Sequence, residues 1–95
     1  MPYVYMLRCG DGSFYSGWTT DIKKRLQTHQ CGRGAKYTRS HLPVALAYVE
    51  ELPAKNECMQ REAALKKLTH AEKSALSAAY LKQARLEAEN KEDVN

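Results

Sequence analysis

Two tyrosines, an arginine–histidine pair and one glutamate carry the reactive side chains whose spacing stands out. Tyr5 and Tyr15 are ten residues apart, on either side of Gly10-Asp11-Gly12-Ser13, and Gly17 follows the second. Arg25 and His29 are four apart in a helical pattern. They are therefore neighbours on a helix surface, a permanent cation beside a titratable imidazole. Glu62 falls within the arc that Cys58, Met59, Leu65 and Thr69 make at about 100° per residue. A carboxylate in an inward stripe needs a partner. That partner is either a cation, Lys66 or Arg25, or a metal ion at a cleft. The ordinary alternatives are half-buried strand residues for the tyrosines and, for His29, a surface position near a helix C-terminus.

The elements that must bring these groups together begin with a hairpin. Tyr3 to Cys9 and Phe14 to Trp18 are rich in aromatic and β-branched residues and flank the glycine cluster, which predicts two antiparallel strands. A two-residue Asp11-Gly12 turn would pair odd with even positions and put the tyrosines on opposite faces. An odd-length loop would bring Tyr3, Tyr5, Tyr15 and Gly17 to one face. It is the expectation, because Gly10 and Gly12 tolerate positive φ. A helix from about Asp21 to Gln30 follows, with Thr19 and Thr20 as N-cap candidates, Ile22 and Leu26 facing inward, and Gly32 ending it. Residues 32–40 read as a basic loop with at most one helical turn. Val44 to Glu50 reads as a third strand in a central or well-covered position. Lys55 to Leu68 is a helix, and Thr69-His70-Ala71-Glu72 is a capping box opening the last one. That helix should turn Ala75, Leu76, Ala79 and Tyr80 inward and fade near Lys82 to Leu86. The fold class is α+β, a small three-stranded antiparallel sheet flanked by helices.

Length and composition fit one soluble domain over residues 1–85 and an acidic, flexible tail over 86–95. Hydrophobic residues make up 43% and charged residues 27%, and no apolar run is long enough for a membrane span. Met1-Pro2-Tyr3 lacks the basic start of a secretion signal, so a cytoplasmic protein is expected. Cys9, Cys31 and Cys58 form no CxxC pair and read as reduced thiols. The net charge of +4 is uneven: Glu87, Glu89, Glu92 and Asp93 against Lys91 give the tail −3, leaving +7 on the body. Lys23, Lys24, Arg25, Arg33, Lys36 and Arg39 lie between Ile22 and Leu42 with no acid among them. Such a segment, with Tyr37 interleaved, suits phosphates and base faces.

The ordered set resembles the GIY-YIG nuclease superfamily, and most closely its small stand-alone bacterial members. Tyr3-Val4-Tyr5 stands at the first motif and Tyr15-Ser16-Gly17 at the second. Thr19-Thr20-Asp21, Arg25 and His29 are similar to the first-helix signature, and Gly34 to Arg39 to a stretch of the small members. Glu62 is similar to the family's acidic helix residue. Tyr3 replaces a motif glycine, Ser16 a motif isoleucine, and a late asparagine of the family has no counterpart. The resemblance implies hydrolysis of a phosphodiester in DNA, including nicked or branched forms, with one Mg²⁺ or Mn²⁺ held by Glu62. It makes Arg25 a phosphate clamp and a tyrosine the general base, Tyr5 ahead of Tyr15, with His29 as phosphate contact or proton acceptor. A phenol serves as base only if Arg25 and the metal lower its pKa. Lys23, Lys24, Arg33, Lys36, Tyr37 and Arg39 are the expected nucleic-acid contacts. The expected state is a monomer or weak dimer. A protein partner would supply the targeting that larger members draw from a DNA-binding domain. The alternative is a nucleic-acid-binding module with little or no turnover.

Overall fold

The computed structural model describes residues 1–93, with side chains through Asn90. The elements run β1 (Tyr3–Arg8), β2 (Phe14–Thr19), α1 (Ile22–Gln30), α2 (Lys36–Ser40), β3 (Ala45–Glu51), α3 (Lys55–Lys66) and α4 (His70–Asp93). The strands form one antiparallel sheet in the order β2-β1-β3. This is the expected three-stranded α+β arrangement. Among the described residues no helix is long and apolar enough to cross a membrane.

The hairpin register is the one the tyrosines need. Tyr5 pairs with Gly17 and Leu7 with Tyr15, odd with odd, across a five-residue loop from Cys9 to Ser13. The loop closes through the Cys9 N–H to the Ser13 carbonyl at 2.8 Å, and Gly12 takes φ +86°. Three distant groups hold it: the Tyr37 hydroxyl donates to Ser13 Oγ, His41 faces Asp11, and His70 Nε2 donates to the Gly12 carbonyl.

β1 is central because Val4 to Leu7 are buried on both sides. Tyr5, Leu7 and Cys9 pack with Val44 beneath Ile22 and Leu26 of α1. Val4 and Met6 pack with Phe14, Ala47 and Leu65 on the face that α3 and α4 cover. β3 is an edge strand, not a central one, and its apolar residues are instead covered by the sheet's helices. Its register slips between Met6 and Leu7, which face Tyr48 and Leu46, leaving Ala47 as the extra residue of a bulge. The Ser77 hydroxyl donates to the Ala47 carbonyl at 2.8 Å. That bond explains why Ser77, not Ala75 or Ala79, is the buried residue of this helix.

Other boundaries shift for local reasons. Asp21, not Thr19 or Thr20, caps α1: its Oδ1 accepts the Lys24 N–H at 3.1 Å, while Thr19 remains in β2. Gly32 follows α1 at φ +76°, as a helix stop requires. The capping box of α4 is present, with Thr69 N–H to Glu72 Oε1 at 2.9 Å and Glu72 N–H to Thr69 Oγ1 at 3.1 Å. Beyond the expected fade, α4 continues as helix through 93 and is exposed over 86–90; 94 and 95 lie outside the described residues. In α3 Met59 is 48% exposed, not inward.

Candidate active site

The site is built outward from Tyr5. It projects from the central strand onto the face that α1 covers and is 2% exposed. His29 meets it there. Ile22, Leu26 and His29 are spaced at 0, 4 and 7 along α1, one helical stripe. The histidine is therefore 1% exposed rather than a surface residue. Tyr5 Oη lies 2.9 Å from His29 Nε2, and His29 Nδ1 lies 2.9 Å from Thr38 Oγ1. The Tyr15 ring packs on the same imidazole, centroids 5.3 Å apart, and stacks on Tyr37 at 6.3 Å.

Two glycines make this convergence possible. A Cβ at Gly17 would lie 2.6 Å from Tyr5 Oη, and one at Gly34 would run into the His29 ring at Nδ1. Neither glycine has positive φ. Each is required for close approach, not for backbone conformation.

Burial pushes the Tyr5 phenol well above the ordinary tyrosine value; the Tyr15 and Glu62 charges add to the rise, and Arg25 opposes it. Arg25 thus acts in the expected direction, but burial outweighs it. Arg25 alone does not make Tyr5 a standing phenolate. His29 is held below the ordinary imidazole value, first by burial and then by Arg25. It is neutral at pH 7, with a proton on one ring nitrogen only.

Arg25 is exposed and lines an open cleft of about 500 Å³ with Thr19, Thr20, Asp21, Lys24 and Thr28. A groove lined by Lys24, Gln27, Thr28, Cys31 and Arg33 continues along α1. Lys23, Lys36, Tyr37 and Arg39 are exposed too. Among the described residues none of Lys23, Lys24, Arg25, Arg33, Lys36 and Arg39 is ion-paired. The six cations of the acid-free stretch are thus exposed and without ion-pair partners among the described residues.

Glu62 is reached from the other side. Its Oε1 pairs with Lys66 Nζ at 3.3 Å, the two side chains being 23% and 57% exposed. Lys66, not Arg25, is therefore its cation. The carboxylate is nonetheless near enough to raise the Tyr5 phenol. Among the described residues no three His, Cys, Asp or Glu side chains cluster as a metal cage. A single open carboxylate, paired with a solvated lysine, fits a hard ion that keeps most of its water and takes phosphate oxygens. It does not fit a closed structural site.

Tyr5, Tyr15 and His29 are thus in contact, Arg25 and Glu62 flank them electrostatically, and the cationic residues spread along α1 and α2. Sequence reasoning gave no role to Thr38, Gly34 or Lys73, while Lys66 is the cation it offered Glu62 alongside Arg25. Lys66 and Lys73 line a cleft of about 300 Å³ with Phe14, Tyr15, Ser16 and Tyr37. The i,i+4 spacing of Glu62 and Lys66 is what makes that pairing possible on one helix face. Nothing local marks Lys73.

The chain is similar to known proteins over most of its length. The profile of the GIY-YIG catalytic domain matches residues 1–75. A UPF0213 protein of Streptococcus sanguinis is 53% identical over 81 residues, 85% of this chain and 88% of its own. One from Halobacterium salinarum is 46% identical over 76 residues, 80% of this chain and 99% of its own. The solution NMR structure of the UPF0213 protein BH0048 from Bacillus halodurans superposes with a TM-score of 0.53 at 42% identity, covering 83% of this chain and 85% of that one.

Proposed function

Because the chain belongs to the GIY-YIG catalytic-domain family, we propose that it is a metal-dependent endonuclease that hydrolyses phosphodiester bonds in DNA, nicked or branched forms among them. The observation that carries the reading is the hydrogen bond between the Tyr5 hydroxyl and the neutral His29 imidazole, with Tyr15, Arg25 and Glu62 around it.

A phenol with a raised pKa is a poor base if it must ionise beforehand, and a competent one if its own proton leaves as the new one arrives. Tyr5 takes the proton of the attacking water while passing its own to His29 Nε2. The water oxygen forms its bond to phosphorus, the bond from phosphorus to the leaving oxygen breaks, and the leaving oxygen takes a proton from solvent. His29 ends as imidazolium. Tyr15 orients the water or the phosphate. Arg25 holds a non-bridging oxygen through its guanidinium fork. Lys23, Lys24, Arg33, Lys36 and Arg39 draw in the backbone, and Tyr37 offers a stacking face.

Glu62 would hold the single Mg²⁺ or Mn²⁺, with water and phosphate oxygens as its remaining partners. When bound, such an ion stabilises the charge that develops on the phosphate and the departing oxygen. The site is proposed to act as a monomer or weak dimer in the cytoplasm, directed to its DNA by a protein partner.

The test is nicking of supercoiled DNA with Mg²⁺ or Mn²⁺. Glu62→Ala should abolish it, and a variant that nicks at the wild-type rate refutes the assignment. One observation favours a second reading, a nucleic-acid-binding module with little turnover: Tyr5 is nearly closed to solvent and Glu62 already has a cation. That reading predicts tight, salt-sensitive DNA binding with no metal-dependent product.

A further inference from the structure

Thr38 has no part in the mechanism above, yet it is fully buried, and its hydroxyl touches two groups: His29 Nδ1 at 2.9 Å and the Ala35 carbonyl at 2.9 Å. A carbonyl only accepts, so the hydroxyl proton goes to Ala35 O. Thr38 Oγ1 is then an acceptor toward the imidazole, and Nδ1 must carry the ring proton. With Nδ1 protonated, neutral His29 has a bare Nε2, which accepts from Tyr5 Oη at 2.9 Å. Three donors meet three acceptors in one line, Tyr5 to His29 to Thr38 to Ala35.

The opposite tautomer fails at both ends. With the proton on Nε2, the Thr38 hydroxyl would have to turn to Nδ1. Thr38 Oγ1 and Ala35 O would then face each other at 2.9 Å with no hydrogen between them. Tyr5 Oη would become an acceptor, and its own proton would lose the one side-chain partner it has among the described residues. Buried donors left unpaired are costly, so the first arrangement dominates.

We propose that Thr38 is a positioning residue that fixes the tautomer of His29 and so keeps Nε2 empty for the Tyr5 proton. Its catalytic consequence rests on the nuclease reading above; its effect on the tautomer does not. Because the helix α2 that carries Thr38 also carries Lys36 and Arg39, the segment that meets the polyanion also sets the direction of proton flow at the base. Besides Thr38, the groups facing the imidazole are Tyr5 from β1, Tyr15 from β2, Arg25 from its own helix and the backbone at Gly34. None of them offers Nδ1 an acceptor.

The experiment is long-range ¹H–¹⁵N correlation on the full chain with ¹⁵N-labelled histidine, at a pH where His29 is neutral. Wild-type His29 should show a protonated Nδ1 and a bare Nε2. Thr38→Val, which keeps the shape and removes the acceptor, should lose that preference, and Thr38→Ser should restore it. A protonated Nε2 in the wild type, or an unchanged tautomer in Thr38→Val, overturns the proposal. Thr38→Ser guards against misfolding, since it keeps the hydroxyl. In the nicking assay Thr38→Val should lower turnover by about tenfold or more, within the ~10²–10⁴ that a positioned proton acceptor supplies. KM for DNA should stay put, and Thr38→Ser should recover the rate. A merely structural role would move stability without the tautomer. Should wild type not nick at all, the nuclease reading fails, and the spectrum alone decides what Thr38 does.

Discussion

Replacing Gly17 with alanine tests whether the Tyr5 hydroxyl is seated as described. Gly17 lies in strand β2 without positive φ, so on backbone grounds alanine should stabilise by roughly 0.5–1 kcal/mol. The local geometry reverses the sign. The new Cβ would stand 2.6 Å from Tyr5 Oη and 2.8 Å from Cζ, where ordinary contact begins at 3.4 Å. The phenol or the strand must give by about 0.8 Å, the difference between 2.6 and 3.4 Å. The phenol is held by a 2.9 Å bond to His29 and lies in the core with Leu7 and Val44. Overpacking of this kind costs about 1–3 kcal/mol, and disturbing the hydrogen bond roughly 0.5–1.5 kcal/mol more. Gly17→Ala should therefore lose about 1–4 kcal/mol, read as a lower urea midpoint at unchanged slope. Tyr5→Leu removes the crowded atoms, so in that background the same substitution should cost little or stabilise. The cycle should give a coupling of about 1–3 kcal/mol. A stabilising Gly17→Ala in the wild-type chain, or a coupling near zero, would show that the phenol does not occupy this position.

Three more outcomes follow from the same contacts. His29 titrates below the ordinary 6.5, so the unfolded chain takes up its proton first as pH falls. Stability should drop as pH falls through about 6.5 and level off below the folded value, and His29→Gln should remove that part of the slope in urea melts recorded across pH. Ser16 Oγ is buried without a partner among the described residues, so Ser16→Ala should gain about 1 kcal/mol and raise Tm by roughly 4–8 °C in calorimetry. Replacing both Lys24 and Arg33 with glutamine should flatten the slope of log K for DNA against log salt by roughly 1.8, about 0.9 for each lost phosphate contact. An unchanged slope would place the DNA elsewhere.

Much of this arrangement was legible in sequence because it depends on period and parity. The parity of the hairpin loop decides which face Tyr5 and Tyr15 share, and two glycines in that loop were enough to choose it. The helical spacing of Ile22, Leu26 and His29 already contained the inward turn of the histidine, yet proximity to a helix end suggested the surface instead. Glu62 was identifiable as a carboxylate that needed a partner, though not which of Lys66 and Arg25 it would take. Other features depend on contacts between segments distant in sequence, which no local pattern records. The Thr38 hydroxyl matters because of where α1 ends. Gly34 matters because of the imidazole above it, not because of its own dihedral angles. The rotation of α4 that buries Ser77 answers to a carbonyl presented by a bulge in β3, and a moment of apolar residues could not foresee it.

The strand that carries Tyr5 lies between two others and under helices on both faces, so its amides are among the last to meet solvent when the domain opens. The proton acceptor proposed at Tyr5 would therefore not be exposed by fraying of a terminus or excursion of a loop. Loss of the site's geometry and loss of the fold should then be one event, and the proposed cleavage should vanish along the same curve as the protected amides. Partly opened molecules would carry none of it.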